Sequence, residues 1–104
     1  MKQLKYFLSL LLFSSLFAQG LDKQNCIYDG KQLFGKIKIV EYDPDITIQI
    51  VEHLSDINVK VVEYFPDNCG EWKFVEYFPD LKVKIVNSNA DLKVKFVQNF
   101  PKIN

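Results

Sequence analysis

From Gly35 to Lys102, apolar and polar positions recur every eleven residues in six consecutive units. The units are Gly35–Asp45 (GKIKIVEYDPD), Ile46–Asp56 (ITIQIVEHLSD), Ile57–Asp67 (INVKVVEYFPD), Gly70–Asp80 (GEWKFVEYFPD), Leu81–Asp91 (LKVKIVNSNAD) and Leu92–Lys102 (LKVKFVQNFPK). Asn68-Cys69 is inserted after the third. The third position holds Ile37, Ile48, Val59, Trp72, Val83 and Val94, and the fifth holds Ile39, Ile50, Val61, Phe74, Ile85 and Phe96. Between them lie Lys38, Gln49, Lys60, Lys73, Lys84 and Lys95. Alternation of β-branched or aromatic residues with polar ones predicts a strand in each unit, with the third and fifth positions on its buried face. A helix does not fit, because apolar residues do not recur at three and four and a turn cluster arrives in every unit. The repeat dictates the architecture: an all-β, compact domain of six short strands, as a small solenoid or a closed barrel-like array.

The sixth position is Val in every unit (Val40, Val51, Val62, Val75, Val86, Val97), which breaks the alternation. Either a bulge shifts the phase there, or the strand's second half buries its opposite face. The second account is favoured, since six strands in a small domain must curl and pack on themselves. Tyr42, His53, Tyr64 and Tyr77 at the eighth position would then share Val's side in a second layer. Positions nine to eleven, such as Asp43-Pro44-Asp45 and Phe65-Pro66-Asp67, end each strand after six or seven residues. Pro withholds a donor there, and the Asp is expected to cap its own turn. Asn68-Cys69-Gly70 divides the array into two halves of three. Leu21–Phe34 carries no repeat and reads as an irregular lead segment before the repeat domain of residues 35–104.

Residues 1–20, MKQLKYFLSLLLFSSLFAQG, read as a secretory signal peptide. Lys2 and Lys5 precede the apolar run Tyr6–Phe17, and cleavage is expected after Gly20 or Ala18. The run is shorter than a membrane span requires, so no transmembrane segment is expected after cleavage. Lys23-Gln24-Asn25 before Cys26 is too polar for a lipidation box. Export places the protein in the periplasm or outside the cell. All 13 basic residues are Lys, and removal of Lys2 and Lys5 leaves 11 against 13 acidic residues. A near-neutral surface of this kind argues against nucleic acid, whose binding needs a positive field. Two cysteines in an exported chain predict a disulfide between Cys26 and Cys69, ahead of free thiols or a metal site short of ligands.

The units resemble those of the 7(3) septoil knot family: DLKVKFV followed by an aromatic-Pro-Asp turn, a lead Asn25–Lys31 (NCIYDGK), and a central Asp67–Val75 (DNCGEWKFV). The likeness runs over about residues 25–102. It implies a compact β-rich domain whose backbone threads into a deep knot, a topology that the alternation of residues would never suggest. It carries over no catalytic or binding residue.

Chemistry is sparse. His53, the one histidine, stands at a Tyr position and is expected half-buried in an aromatic row, rather than acting as a base beside Asp43, Asp45 or Asp56. Ser55 and Ser88 lie in turns without a nucleophile motif. The eleventh-position aspartates lack the Gly-rich turns of calcium-binding repeats. The Glu residues at position seven (Glu41, Glu52, Glu63, Glu76) are expected to pair with the Lys row across strands. Phe65, Phe78 and Phe100 form an interaction surface if exposed, although folding back to plug the core ends is favoured. The sequence therefore points to an exported non-enzymatic module, structural or binding an envelope protein or glycan, without cofactor. A small hydrolase or metal-dependent enzyme built on His53 and nearby carboxylates is the alternative.

Overall fold

The computed structural model describes residues 20–104, so the signal peptide expected over residues 1–20 lies outside the described residues except for Gly20. Every regular element in them is a strand. The lead, where sequence showed no periodicity, contains three two-residue strands: β1 (Leu21–Asp22), β2 (Ile27–Tyr28) and β3 (Lys31–Gln32). They form an antiparallel meander. The repeat then supplies β4 (Gly35–Ile39), β5 (Ile46–Ile50), β6 (Ile57–Val61), β7 (Glu71–Phe74), β8 (Leu81–Ile85) and β9 (Leu92–Phe96), one per unit. A last short strand, β10 (Lys102–Ile103), runs antiparallel to β6.

The six repeat strands are all parallel and close into a barrel in the order β6-β7-β4-β8-β5-β9, with β9 returning to β6. Strands of the first half (β4, β5, β6) and of the second (β7, β8, β9) alternate without exception. Each strand pairs with one neighbour through its first residues and with the other through its last. Ile37 is opposite Leu81, Val83 opposite Ile46, and Ile48 opposite Leu92, a stagger of two residues at each junction. A step that large over one interstrand spacing tilts the strands about 50–55° from the axis.

Equivalent positions consequently form rings about the barrel axis. The third-position residues Ile37, Ile48, Val59, Trp72, Val83 and Val94 are all fully buried. Below them Ile46, Ile57, Leu81 and Leu92 fill the first-position ring together with Gly35 and Gly70. Gly35 is the register partner of Trp72, the largest member of the core, and a Cβ at Gly35 would lie 2.6 Å from the Asp80 carboxylate. Gly70 follows a backbone path at φ 80°, where an added Cβ would lie 2.8 Å from the Asn58 carbonyl. Leu33 closes this end: its carbonyl accepts from Trp72 Nε1 (3.1 Å) and from the Gly70 amide (3.2 Å). The Cys26–Cys69 disulfide is present and ties the lead to the crossover between β6 and β7.

The fifth-position ring departs from the buried face read from the pattern. Ile39, Ile50, Val61, Phe74, Ile85 and Phe96 are 37–47 % exposed. They face the same way as the buried residues, as the edge-to-face contact of Phe96 with Trp72 (6.3 Å) indicates. They stand, however, at the barrel's other end, which nothing in the lead covers. The second layer does not form either. Strands end at position five, and each sixth-position Val donates its amide to a third-position carbonyl of the next strand, as in Val40 to Val83 (2.9 Å) and Val51 to Val94 (2.9 Å). The tyrosines that follow lie in exposed turns. Glu41, Glu52, Glu63 and Glu76 also fall in these turns, off the strands that carry the Lys row, so no cross-strand ladder of ion pairs is built.

The turns act at long range. Asp45 donates its amide to the Lys82 carbonyl (2.8 Å) and accepts the Lys82 amide on Oδ2 (2.7 Å). Asp56 does the same to Lys93, and Asp80 to Lys36. Asp91 clasps Thr47 through its amide and hydroxyl. Each turn thus hooks over the intervening strand of the opposite half, and the aspartates fasten that strand instead of capping their own turn. Asp67, beside the insertion, makes no such clasp: its amide bonds the Phe65 carbonyl (2.8 Å). Asp56→Ala is expected to lower stability by about 1–2 kcal/mol, because it leaves the Lys93 amide without its carboxylate. Asp67→Ala should leave the urea midpoint almost unchanged, and equal effects of the two substitutions would contradict the clasp.

Candidate functional site: aromatic turns on one arc of the barrel

Among the described residues no polar or charged side chain is buried, so chemistry must reside on the surface. Phe65, Phe78 and Phe100 are not folded back over the core. Together with Tyr42, Leu54, Tyr64 and Tyr77 they are 75–91 % exposed. The expected plug fails: one end of the core is closed by Leu33 instead, and the three rings stand exposed in their turns.

The backbone singles these residues out again. The ninth position of every unit has a positive φ: Asp43 (53°), Leu54 (58°), Phe65 (29°), Phe78 (56°), Asn89 (55°) and Phe100 (59°). Gly, Asn and Asp enter that region easily, and bulky residues do not. Phe65, Phe78 and Phe100 also precede Pro66, Pro79 and Pro101, and a residue before proline prefers an extended backbone. Asn89 and Asp43 demonstrate that this turn accommodates a small polar residue. Neither burial nor backbone preference therefore accounts for phenylalanine. Phe78→Asn is expected to raise stability by about 0.5–1 kcal/mol, read as a higher thermal midpoint. A fall of that size would mean that the ring packs on something the fold requires.

In sequence the aromatic turns are scattered over units one, three, four and six. Around the barrel they are neighbours, because the strand order places the turns after β9, β6, β7 and β4 side by side. Phe100, then Tyr64 and Phe65, then Tyr77 and Phe78, then Tyr42 follow one another on a single arc. The turns after β8 and β5, with Ser88-Asn89 and His53-Leu54, occupy the rest. Tyr64, Phe65 and Pro66 line a surface hollow with Lys36, Asp67 and Lys73.

His53 is exposed, not half-buried in an aromatic row. It borders a hollow with Glu52, Ser55, Asn58 and Lys95. The Ser55 hydroxyl donates to Asn58 Oδ1 (2.7 Å) and accepts from Asn104 Nδ2 (2.8 Å), so it is committed to two asparagines rather than to the histidine. Asp56 is occupied at Lys93, and Asp43 and Asp45 belong to the turn between β4 and β5. Among the described residues no group of three or more His, Cys, Asp and Glu converges as a metal site would need. The Tyr28 hydroxyl is held above its ordinary pKa by burial first, then by the Asp91, Asp29 and Asp56 carboxylates.

The sequence suggested the three phenylalanines but not their company. Tyr42, Tyr64 and Tyr77 were expected in a second layer, and the fifth-position ring in the core. The pairing of strands from opposite halves, which brings the aromatics together, leaves no mark in a repeat whose units are so alike.

An interleaved, closed, parallel β-barrel with hooked turns defines the class of the protein. The chain matches the family described as the 7(1) septoil knot domain over residues 30–104, and it belongs to the septoil knot family. The member matched is 7(1), where the sequence motifs had suggested 7(3). No curated protein matches it.

Proposed function

We propose that this chain is an exported, non-enzymatic barrel module of the cell envelope or exterior, which binds an envelope protein or glycan through its aromatic turns. The observation that carries the reading is the arc itself: exposed phenylalanines at left-handed, pre-proline positions, where the equivalent turns of the other units carry Asp43, Leu54 and Asn89. Tyrosine and phenylalanine exposed together are the residues that interaction surfaces concentrate. A disulfide suits an oxidising compartment, and the leader read from residues 1–20 supplies the route.

The test is expression in a bacterium with the native leader. Intact mass is followed by cosedimentation of the mature protein with purified sacculi and with envelope fragments. Loss of residues 1–18 or 1–20 together with retention on one of these materials is expected. The triple variant Phe65→Ser, Phe78→Ser, Phe100→Ser should lose at least about tenfold of that retention while keeping its barrel. An uncleaved chain would sink the export reading, and equal retention of the variant would sink the role of the arc.

A further inference from the structure

The open end of the barrel is a second surface, distinct from the aromatic arc. We propose that it docks a second copy of this chain, end to end, about a twofold axis. The fifth-position ring (Ile39, Ile50, Val61, Phe74, Ile85 and Phe96) presents six half-exposed apolar side chains around the barrel axis. At 37–47 % exposure each, they offer roughly 500 Å² of contiguous surface, at the upper end of what a lone soluble domain leaves uncovered. Two such discs in contact, with their rims, bury about 1,200 Å², the lower bound of a stable association.

The rim indicates which partner fits. Ile39 and Phe74 share a surface hollow with Lys38, Val75 and Glu76, so both signs of charge border the apolar disc. The same fourth and seventh positions recur in the other units as Lys60, Lys73, Lys84 and Lys95 and as Glu41, Glu52 and Glu63. Five cations against four anions give no net field to attract a strongly charged ligand. They do give a circle in which a Lys of one copy can face a Glu of another. A twofold contact needs a self-complementary patch. A ring with near-sixfold repetition offers several rotations at which apolar meets apolar and the rim charges oppose.

Sedimentation velocity of the mature protein from about 5 to about 500 µM is the measurement. The wild type is expected to pass from monomer to dimer across that range and to stop there. Ile50→Glu with Ile85→Glu, at positions already half exposed, should weaken the dimer at least about tenfold. The rim variant Lys38→Glu with Lys84→Glu leaves the apolar ring intact. It should weaken the dimer at low salt and recover in part at high salt. Phe65→Ser with Phe78→Ser should leave association unchanged, which separates this surface from the aromatic arc. A wild type monomeric at all concentrations, assembly beyond dimers, or a dimer indifferent to both mouth and rim variants would overturn the proposal. So would a dimer lost only with the phenylalanines.

Discussion

Trp72→Ala is expected to cost about 3–5 kcal/mol, the range for emptying the site of a fully buried aromatic. Trp72 is the largest fully buried side chain. It packs edge to face on Phe96 and donates to the Leu33 carbonyl at 3.1 Å. A domain of this size has about 5–15 kcal/mol in total, so the variant should melt roughly 15–30 °C lower. Far-UV circular dichroism is the appropriate probe, since the substitution removes the only tryptophan. A loss under about 1 kcal/mol would mean that the barrel collapses around the gap, and the view of a rigid stack of rings would have to be abandoned.

Removal of the Cys26–Cys69 bond is the second large effect. The bond closes a loop with a sequence separation of 43, and the chain-entropy account gives about 4 kcal/mol for such a loop. The double variant Cys26→Ala with Cys69→Ala is preferable to single ones, which would leave a reactive thiol. The urea midpoint of the variant should fall accordingly, and adding reductant to the wild type should bring its midpoint down to match. If the midpoint does not move, the lead must be held by Leu33, Tyr28 and Phe34 alone, and the disulfide would contribute nothing to stability. The bond also pins Leu33 against the end of the barrel. Its loss should therefore speed hydrogen exchange at the Gly70 amide, which is bonded to the Leu33 carbonyl, before it affects β5 or β8.

How much of this was legible beforehand follows from what each residue type can signal. Alternation at positions three to five announced strands, and it placed Ile37, Ile48, Val59, Val83 and Val94 correctly inside. It placed Ile50 and Phe96 equally inside, because alternation reports the face of a strand and not how far along the barrel a residue lies. The first-position ring was hidden by Gly35 and Gly70, which look like turn residues although both are buried and neither has room for a Cβ. Tyr42 and Phe78 were assigned to buried layers on the assumption that large apolar residues go inside, a rule that holds in one direction only. The aspartates looked like caps for their own turns, yet Asp45 holds Lys82 and Asp80 holds Lys36. Local chemistry cannot show a partner that lies in the other half of the chain. The strand order was out of reach for the same reason: six units so alike offer many equivalent pairings, and closure of the whole barrel selects among them. At the candidate site, Phe65, Phe78 and Phe100 could be named from their repetition, whereas their adjacency depends on that strand order.

Strict alternation of the two halves also bears on how the protein is made. When β4, β5 and β6 have left the ribosome, none of them has a partner, since every lateral neighbour is encoded after Gly70. Half the domain therefore waits as bare strands, with nothing to zip onto, until the second half arrives and is laid between them. The domain cannot fold from its amino end onward as synthesis proceeds. Until β7 emerges, the first three strands present open edges, and Lys residues and prolines along such edges oppose pairing with the wrong company.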